Sequence, residues 1–486
     1  MTKTLFLILI LHLPLFFCGQ TEGTGKNDYF KNYSIREQQE DLKTLKASLE
    51  KIHPGLYWHI TKEQFEKKYD SLYNSINSGK TAYQFLDCVF VLLANIRCTH
   101  TDTNLSEQEA EFEKNNLPHF PFEVIVIDNK LYIKNNYTAD NLFEAGTQIL
   151  SINGRKASDL IQKFIKRSYV DGFNSQGEIH ELSSRFEILT EHEFDIPPVY
   201  SIEFVSSDGR VIKKQVSAVT GSAIKDYESK KYPPKPNESI KIMDSLKTAI
   251  LTFNTFNDTS YVTFLEQSFK TIKDKNSKNL IIDLRKNPGG YDDFGSRLFA
   301  YIALTPFKYY DHLEMTIDSL NDPVFKSGHF IDSAAIKEFF NKNHLKKMAN
   351  GNYILDKKQH SITADAPFSP EKNSFKGAVF VLISSQSSSG ASEFSALVHF
   401  NKRATFIGQE TGGGYCGNTS GFEYLLSLPN TKIRVIIPVI RYLEAIDNCV
   451  SKGGVKPDYA IAPNVNVLGS DADREMKCAL DLIRNK

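Results

Sequence analysis

The chain has 486 residues, 41% of them hydrophobic and 24% charged, an ordinary globular composition with room for two or three domains and no signature of disorder. Its 58 basic residues are matched by 58 acidic ones, so the body has no net field to draw nucleic acid or an anionic membrane, and neither is expected as a partner.

The first residues, MTKTLFLILILHLPLFFCGQTEG, set Lys3 ahead of an apolar run from Leu5 to Phe17. A spanning helix needs about 20 apolar residues; this run is shorter and is broken by His12 and Pro14. It predicts a secretory signal over residues 1–19 and an exported protein, whether periplasmic, outer-membrane-anchored or extracellular. Cys18 is open to two readings. One is lipidation, which would be the chain's tie to a membrane; the other is plain cleavage just after it, because Phe17 stands where a small residue usually precedes a lipidated cysteine. Five further cysteines, Cys88, Cys98, Cys416, Cys449 and Cys478, are too sparse for a disulfide framework. Cys416 and Cys449, both in glycine-rich loops, are the pair to test for a bridge, with buried free thiols as the alternative. Neither CxxC nor HExxH occurs, and neither a metal nor a cofactor is expected.

Beyond a polar tether through Asp28, residues 29–115 read as a helical region. Leu42, Leu45, Leu49 and Ile52 share one face, and the His-Pro-Gly run at 53–55 ends that helix. A second series, Phe85, Val89, Leu92, Leu93 and Ile96, runs up to Arg97-Cys98-Thr99-His100 and is expected to deliver His100 at a helix end. Residues 116–220 change to short strands (FEVIVID, KLYIKNN, YSIEFVSSDGRVIKKQVSAV) with an Asp-Gly turn at 208–209, a small β-rich domain. Residues 221–239, including KDYESKKYPPKPNES, read as a linker. From 240 to 486 apolar strands alternate with helical patterns, which predicts an α/β core with largely parallel strands.

Two strand ends in that core can carry chemistry. NLIIDLRKNPGG ends a buried strand in a Pro-Gly-Gly turn, where glycines let backbone N–H groups converge on one point. GAVFVLISSQSSSGASEF runs another strand into a serine-rich loop that opens a helix near Gly390, and a hydroxyl there lies close to unpaired N–H groups and the positive end of the helix dipole. Taken singly, NPGG is also a common turn and Ser387, Ser388 and Ser389 also read as a loop and an N-cap. Asp283 and Arg285 read as a structural ion pair, and Trp58 as core or interdomain packing.

Together, IIDLRKNPGG, SSSGASEF, RATFIGQETGGGYCGNTSG and GGVKPDYAI, in this order, resemble the tail-specific or C-terminal processing serine peptidases, the family that includes the tricorn core proteins. The resemblance covers most of the mature chain and implies a crotonase-like ββα-superhelix core, an N-terminal helical domain and a PDZ-like β-rich domain, the last suggested by AGTQILSINGRKASDLI. It implies Ser389 as nucleophile: counts forward from Val381 and back from Arg403 agree on it, while a count back from Glu393 reaches Gly390. The oxyanion donors implied are the backbone N–H of Gly289 or Gly290 and that of Gly390.

The chain departs from the family's Ser/Lys branch, since Gly414 occupies the position of the lysine. The tricorn-like branch uses an upstream histidine, which here is His100 in Thr99-His100-Thr101. An imidazole, with an ordinary pKa near 6.5, takes a serine proton at neutral pH without the desolvation a lysine would need. That branch also carries a glutamate where this chain has Ser451, so the third group is open among Asp447, Glu444 and Asp102. The function implied is a serine peptidase acting on a peptide or unfolded chain. Two alternatives stay open: an inactive peptide- or ligand-binding protein on the same scaffold, and a Ser/His hydrolase of non-peptide esters or amides.

Overall fold

Three helices open the computed structural model, Ile35–Ile52, Lys62–Ser75 and Ala82–Ala94, each begun by a capping box on Ser34, Thr61 and Thr81. The structure describes residues 29–343, 345–355, 367–470 and 472–485; the signal segment 1–19, Cys18 and the tether through Asp28 lie outside the described residues. Leu42, Leu45, Leu49 and Ile52 are fully buried, as their spacing predicts. The third helix ends at Ala94, so His100 is delivered by a turn and not by the helix itself. That turn reverses at Arg97, which sits at φ 66. Among the described residues no helix is long and apolar enough to cross a membrane.

The α/β core is built on a six-stranded sheet in the order 459–460, 405–408, 378–383, 279–283, 248–253, 238–243. All of its pairs are parallel except the edge pair of 238–243 with 248–253, which is antiparallel. Ile282 pairs with Val381 and Asp283 with Leu382, so the carboxyl ends of these two strands stand side by side. Their burial on both faces follows from helices and loops covering both sides. The ion pair of Asp283 and Arg285 at 2.6 Å closes one end of the sheet and is extended to Asp473 at 2.7 Å.

A second sheet was not foreseen from the sequence. Its centre is the antiparallel hairpin Gly417–Ser427 and Arg434–Glu444, with further short strands on either side. The two-residue strand Thr103–Asn104 joins it, pairing with Val435 and Arg434, and so anchors the segment just after His100. The first helix is tied to the same hairpin: the buried Asp41 carboxylate accepts from the N–H groups of Asn430 and Thr431, both at 2.8 Å, and from Thr431 Oγ1 at 2.6 Å. The N-terminal helices and the α/β core therefore share one hydrophobic cluster.

Residues 122–217 form a separate antiparallel sheet in the order 122–127, 130–136, 148–152, 199–205, 211–217, with its own buried cluster. The long stretch between its third and fourth main strands holds a short helix, Ala157–Phe164, and a 19-residue helix, Ser175–Glu193, the latter held to the first strand by Ser183 Oγ accepting from Val126 N–H at 3.1 Å. The expected linker at 221–239 is half structured: Gly221–Lys231 is a helix capped by Thr220, and strand 238–243 starts at Glu238. The helix has no buried residue, so hydrophobic periodicity had nothing to report there. Trp58 is partly buried, stacked on His59, with the Arg441 guanidinium 4.0 Å from its ring centroid.

Candidate active site

The adjacent ends of strands 279–283 and 378–383 put the Pro-Gly-Gly turn against the serine-rich loop, in the crevice beyond the strands' carboxyl ends where open α/β sheets hold ligands. The serines there have different tasks. Ser384 Oγ donates to Arg285 O at 2.5 Å and Ser387 Oγ to Leu284 O at 2.8 Å, which pins the loop to the neighbouring strand. Ser388 Oγ makes only a long contact to Pro288 O at 3.4 Å.

Ser389 stands immediately before the helix Gly390–Phe400 yet does not cap it: its side chain makes no capping hydrogen bond. Its backbone lies at φ 49, ψ −131, a region costly for a residue with a Cβ. Helix capping therefore does not explain the residue. What the strained turn achieves is to aim Oγ at His100, whose Nε2 lies 3.2 Å away. Ser389 is 8% exposed, so the pair is screened from bulk water but reachable.

The glycines divide the other work. Gly289, at φ 105, gives its N–H to Asn287 Oδ1 at 2.8 Å, which removes it from the set of oxyanion donors. Its task is steric: a Cβ there would lie 2.6 Å from Ser389 Cβ and 2.9 Å from Gly390 N. Among the described residues the N–H groups of Gly290 and Gly390 have no acceptor, and Gly290 N lies 3.7 Å from where a Cβ on Gly390 would stand. Two unspent donors next to a hydroxyl are what stabilisation of an oxyanion needs.

His100 is held by its neighbours in the turn. Arg97 O accepts from Gly172 N–H at 3.1 Å, Thr99 N–H donates to Asp171 Oδ1 at 2.8 Å, and the buried Thr101 shares a 2.9 Å hydrogen bond with His53 Nε2. Burial pushes the pKa of His53 down to about 3, so it is a neutral neighbour.

Of the three acids expected beside His100, each is engaged or placed otherwise. The Asp102 carboxylate turns to Arg185 at 2.9 Å and to its neighbour's Thr103 N–H at 2.7 Å. Glu444 is buried and its oxygens meet no donor among the described residues; burial, and then the adjacent Glu393, push its pKa well up toward the neutral form, so it supplies no anion. Asp447 is exposed beyond the end of its strand. Gly414 carries no side chain, and Ser451 is exposed with its hydroxyl toward Gly453 O. An acid that sequence reading passed over, Asp171, is buried beside the His100 turn; one of its carboxylate oxygens, one ring nitrogen of His100 and Cys98 Sγ lie within 4.8 Å of one another. No motif or spacing marks Asp171, because it comes from the β-rich region, 71 positions along the chain from His100.

Cys416 and Cys449 form a disulfide that joins two loops 33 residues apart. The second loop carries Lys452, whose carbonyl accepts from Phe173 N–H at 2.5 Å, so the bridge supports the Asp171 loop as well. A Cys416→Ser, Cys449→Ser variant is expected to lose about 2–4 kcal/mol of stability. Thermal unfolding checks this: the wild type should lose several degrees on adding reductant and the variant none. An unchanged wild-type midpoint would show that the bridge contributes nothing.

Fold and site together define a serine-type peptidase. Residues 247–461 match the model of peptidase family S41. Among solved structures, mature CPAF in complex with lactacystin is similar over 93% of this chain and 99% of its own, with a TM-score of 0.64 at 15% identity. Mature CPAF alone gives a TM-score of 0.63 at 14% identity over 93% and 98%. At such identities the likeness is one of fold. No curated protein matches the chain.

Proposed function

We propose that the protein is an exported peptidase that cleaves peptide bonds through an acyl-enzyme on Ser389, with His100 as general base and the Gly290 and Gly390 N–H groups as the oxyanion hole. The observation that carries this reading is the 3.2 Å contact between His100 Nε2 and the strained Ser389, which caps nothing. His100 takes the Oγ proton as Oγ attacks the substrate carbonyl, and returns it to the leaving amine; water then repeats the cycle on the acyl-enzyme. No metal or cofactor enters these steps.

The substrate is an extended or unfolded chain. A cavity of about 320 Å³ beside Ser388, lined by Tyr169, Val170, His180, Lys286 and Pro288, offers room for a substrate side chain next to the nucleophile. The β-rich region is read as PDZ-like; strand 148–152 is paired on both sides, so an added peptide strand meets this sheet at an edge strand. Export through the signal at 1–19, followed by cleavage or lipidation at Cys18, accords with the disulfide, which persists in oxidising compartments.

A fluorophosphonate probe tests the reading. The folded wild type is expected to be labelled at Ser389, and His100→Ala is expected to label far more slowly. A folded wild type that is not labelled overturns the proposal.

A further inference from the structure

We infer that Asp171 is the positioning residue that orients His100 and stabilises its protonated form, an inference that rests on the Ser389/His100 reading above. Asp171 is 4% exposed. Its Oδ1 is fixed by Thr99 N–H at 2.8 Å, while its Oδ2 is buried with no hydrogen-bond donor among the described residues. A buried carboxylate oxygen left unmatched is costly and uncommon in a native fold. Here it has a purpose within reach, since a carboxylate oxygen lies within 4.8 Å of a His100 ring nitrogen. With Nε2 turned to Ser389, Nδ1 is the ring nitrogen left for Asp171 in this reading; it lies 3.4 Å from Oγ1 of Thr99, the residue whose amide holds Asp171.

Three separate segments build the seat. Gly172, at φ 69, donates to Arg97 O at 3.1 Å, and a Cβ on it would stand 2.1 Å from Lys452 O. Asn174 is fully buried, donates from Nδ2 to Thr411 O at 2.5 Å and caps the helix Ser175–Glu193. Across from them, a Cβ on Gly414 would touch Asp171 Cβ at 3.8 Å, so the glycine loop closes over the acid. A surface loop has no need of a buried asparagine, a left-handed glycine and a disulfide-supported strut. A carboxylate held in one place does.

The chemistry follows. When Ser389 Oγ attacks, its proton passes to Nε2 and the ring becomes an imidazolium; Asp171 keeps Nδ1 protonated, balances the new charge and does not itself take the proton. Of the titratable groups on this side, burial raises the Cys98 thiol pKa to about 12 and lowers that of His53 to about 3; burial lowers that of His59 as well, against the opposing pull of the Asp171 carboxylate. Asp102 is paired with Arg185, and the cations Arg441, Arg97 and Lys452 lie toward His59.

Asp171→Asn keeps the size and the acceptor for Thr99 N–H but removes the charge. Its fluorophosphonate labelling rate is expected to fall about 10²–10⁴-fold, with the acid limb of the pH–rate profile moved to lower pH, because an imidazolium without its anion gives up its proton more readily. Asp171→Glu should recover part of the rate. In a His100→Ala background, Asp171→Asn should add almost nothing, since the two act as a unit. Wild-type labelling rate with an unmoved acid limb, or a loss that multiplies in the His100→Ala background, overturns the inference. Should Asp171→Asn melt early, the wild type decides by NMR: a far-downfield imidazole proton that vanishes in His100→Ala is expected, and its absence counts against Asp171. Failure of the wild type to label at all would instead defeat the underlying Ser389/His100 reading, so the two failures are distinct.

Discussion

Ser389→Ala is expected to abolish fluorophosphonate labelling and to lower hydrolysis by at least about 10³-fold, while Ser388→Ala stays within about threefold of wild type. Adjacent serines in one loop make this a sharp contrast. Ser389 has its Oγ 3.2 Å from His100 Nε2 and sits at φ 49 without capping the helix behind it. Ser388 is turned the other way, with a 3.4 Å contact to Pro288 O. Loss of the hydroxyl at 389 removes the proposed nucleophile and leaves the loop's supports, Ser384 and Ser387, untouched, so thermal stability should change little. Labelling lost in Ser388→Ala and kept in Ser389→Ala would move the nucleophile by one residue. A melting midpoint depressed in Ser389→Ala would mean that the residue is structural after all.

Gly289→Ala should cost about 10²-fold or more in labelling rate while leaving a folded protein. The added methyl meets Ser389 Cβ at 2.6 Å and Gly390 N at 2.9 Å, and it forces alanine to adopt φ 105. Relief requires the Pro-Gly-Gly turn to back away from the serine loop, which separates the Gly290 and Gly390 donors and shifts Oγ from His100. The backbone strain by itself is worth about 1–3 kcal/mol, too little to unfold a chain of this size. Activity should therefore fall without unfolding, seen as slow labelling with a cooperative melt. Gly290→Ala is the harsher change, because its Cβ would fall 2.4 Å from Phe256 C and Asn257 Oδ1, and there both stability and labelling should suffer. Full labelling in Gly289→Ala would show that the turn has slack and that the oxyanion site lies elsewhere.

These expectations share one feature of the site: groups that are far apart in sequence are rigid locally and depend on each other only through contacts between loops. His100 and Ser389 are 289 positions apart. Each is set by its own neighbourhood, His100 by Thr103 pairing with Val435, Ser389 by the two serines that tie its loop to strand 279–283. The Cys416–Cys449 bridge and Lys452 O link both to the Asp171 loop. Motion of the β-rich region would thus change the surroundings of His100 before it changed Ser389.

Residue patterns were enough where a property is local. Continuous apolar runs ending in NPGG and SSQSSSG announce buried strands that finish in loops with special backbone, and those strands prove to be parallel neighbours in register. The apolar face of Ile35–Ile52 and the alternation in 116–220 are of the same kind, as is the glycine at 414, which leaves that position without a lysine. The meeting of His100 with Ser389 was expected only through the family resemblance, because no spacing encodes a contact across 289 positions. Tertiary structure alone decided the rest. It spent the Gly289 N–H on Asn287, buried Glu444 against Glu393, turned Asp102 to Arg185, and brought Asp171 to the His100 turn from the β-rich region. An amide's acceptor, a carboxylate's charge state and an imidazole's partner are set by what surrounds them after the chain has closed, and those surroundings come from segments that share no local pattern.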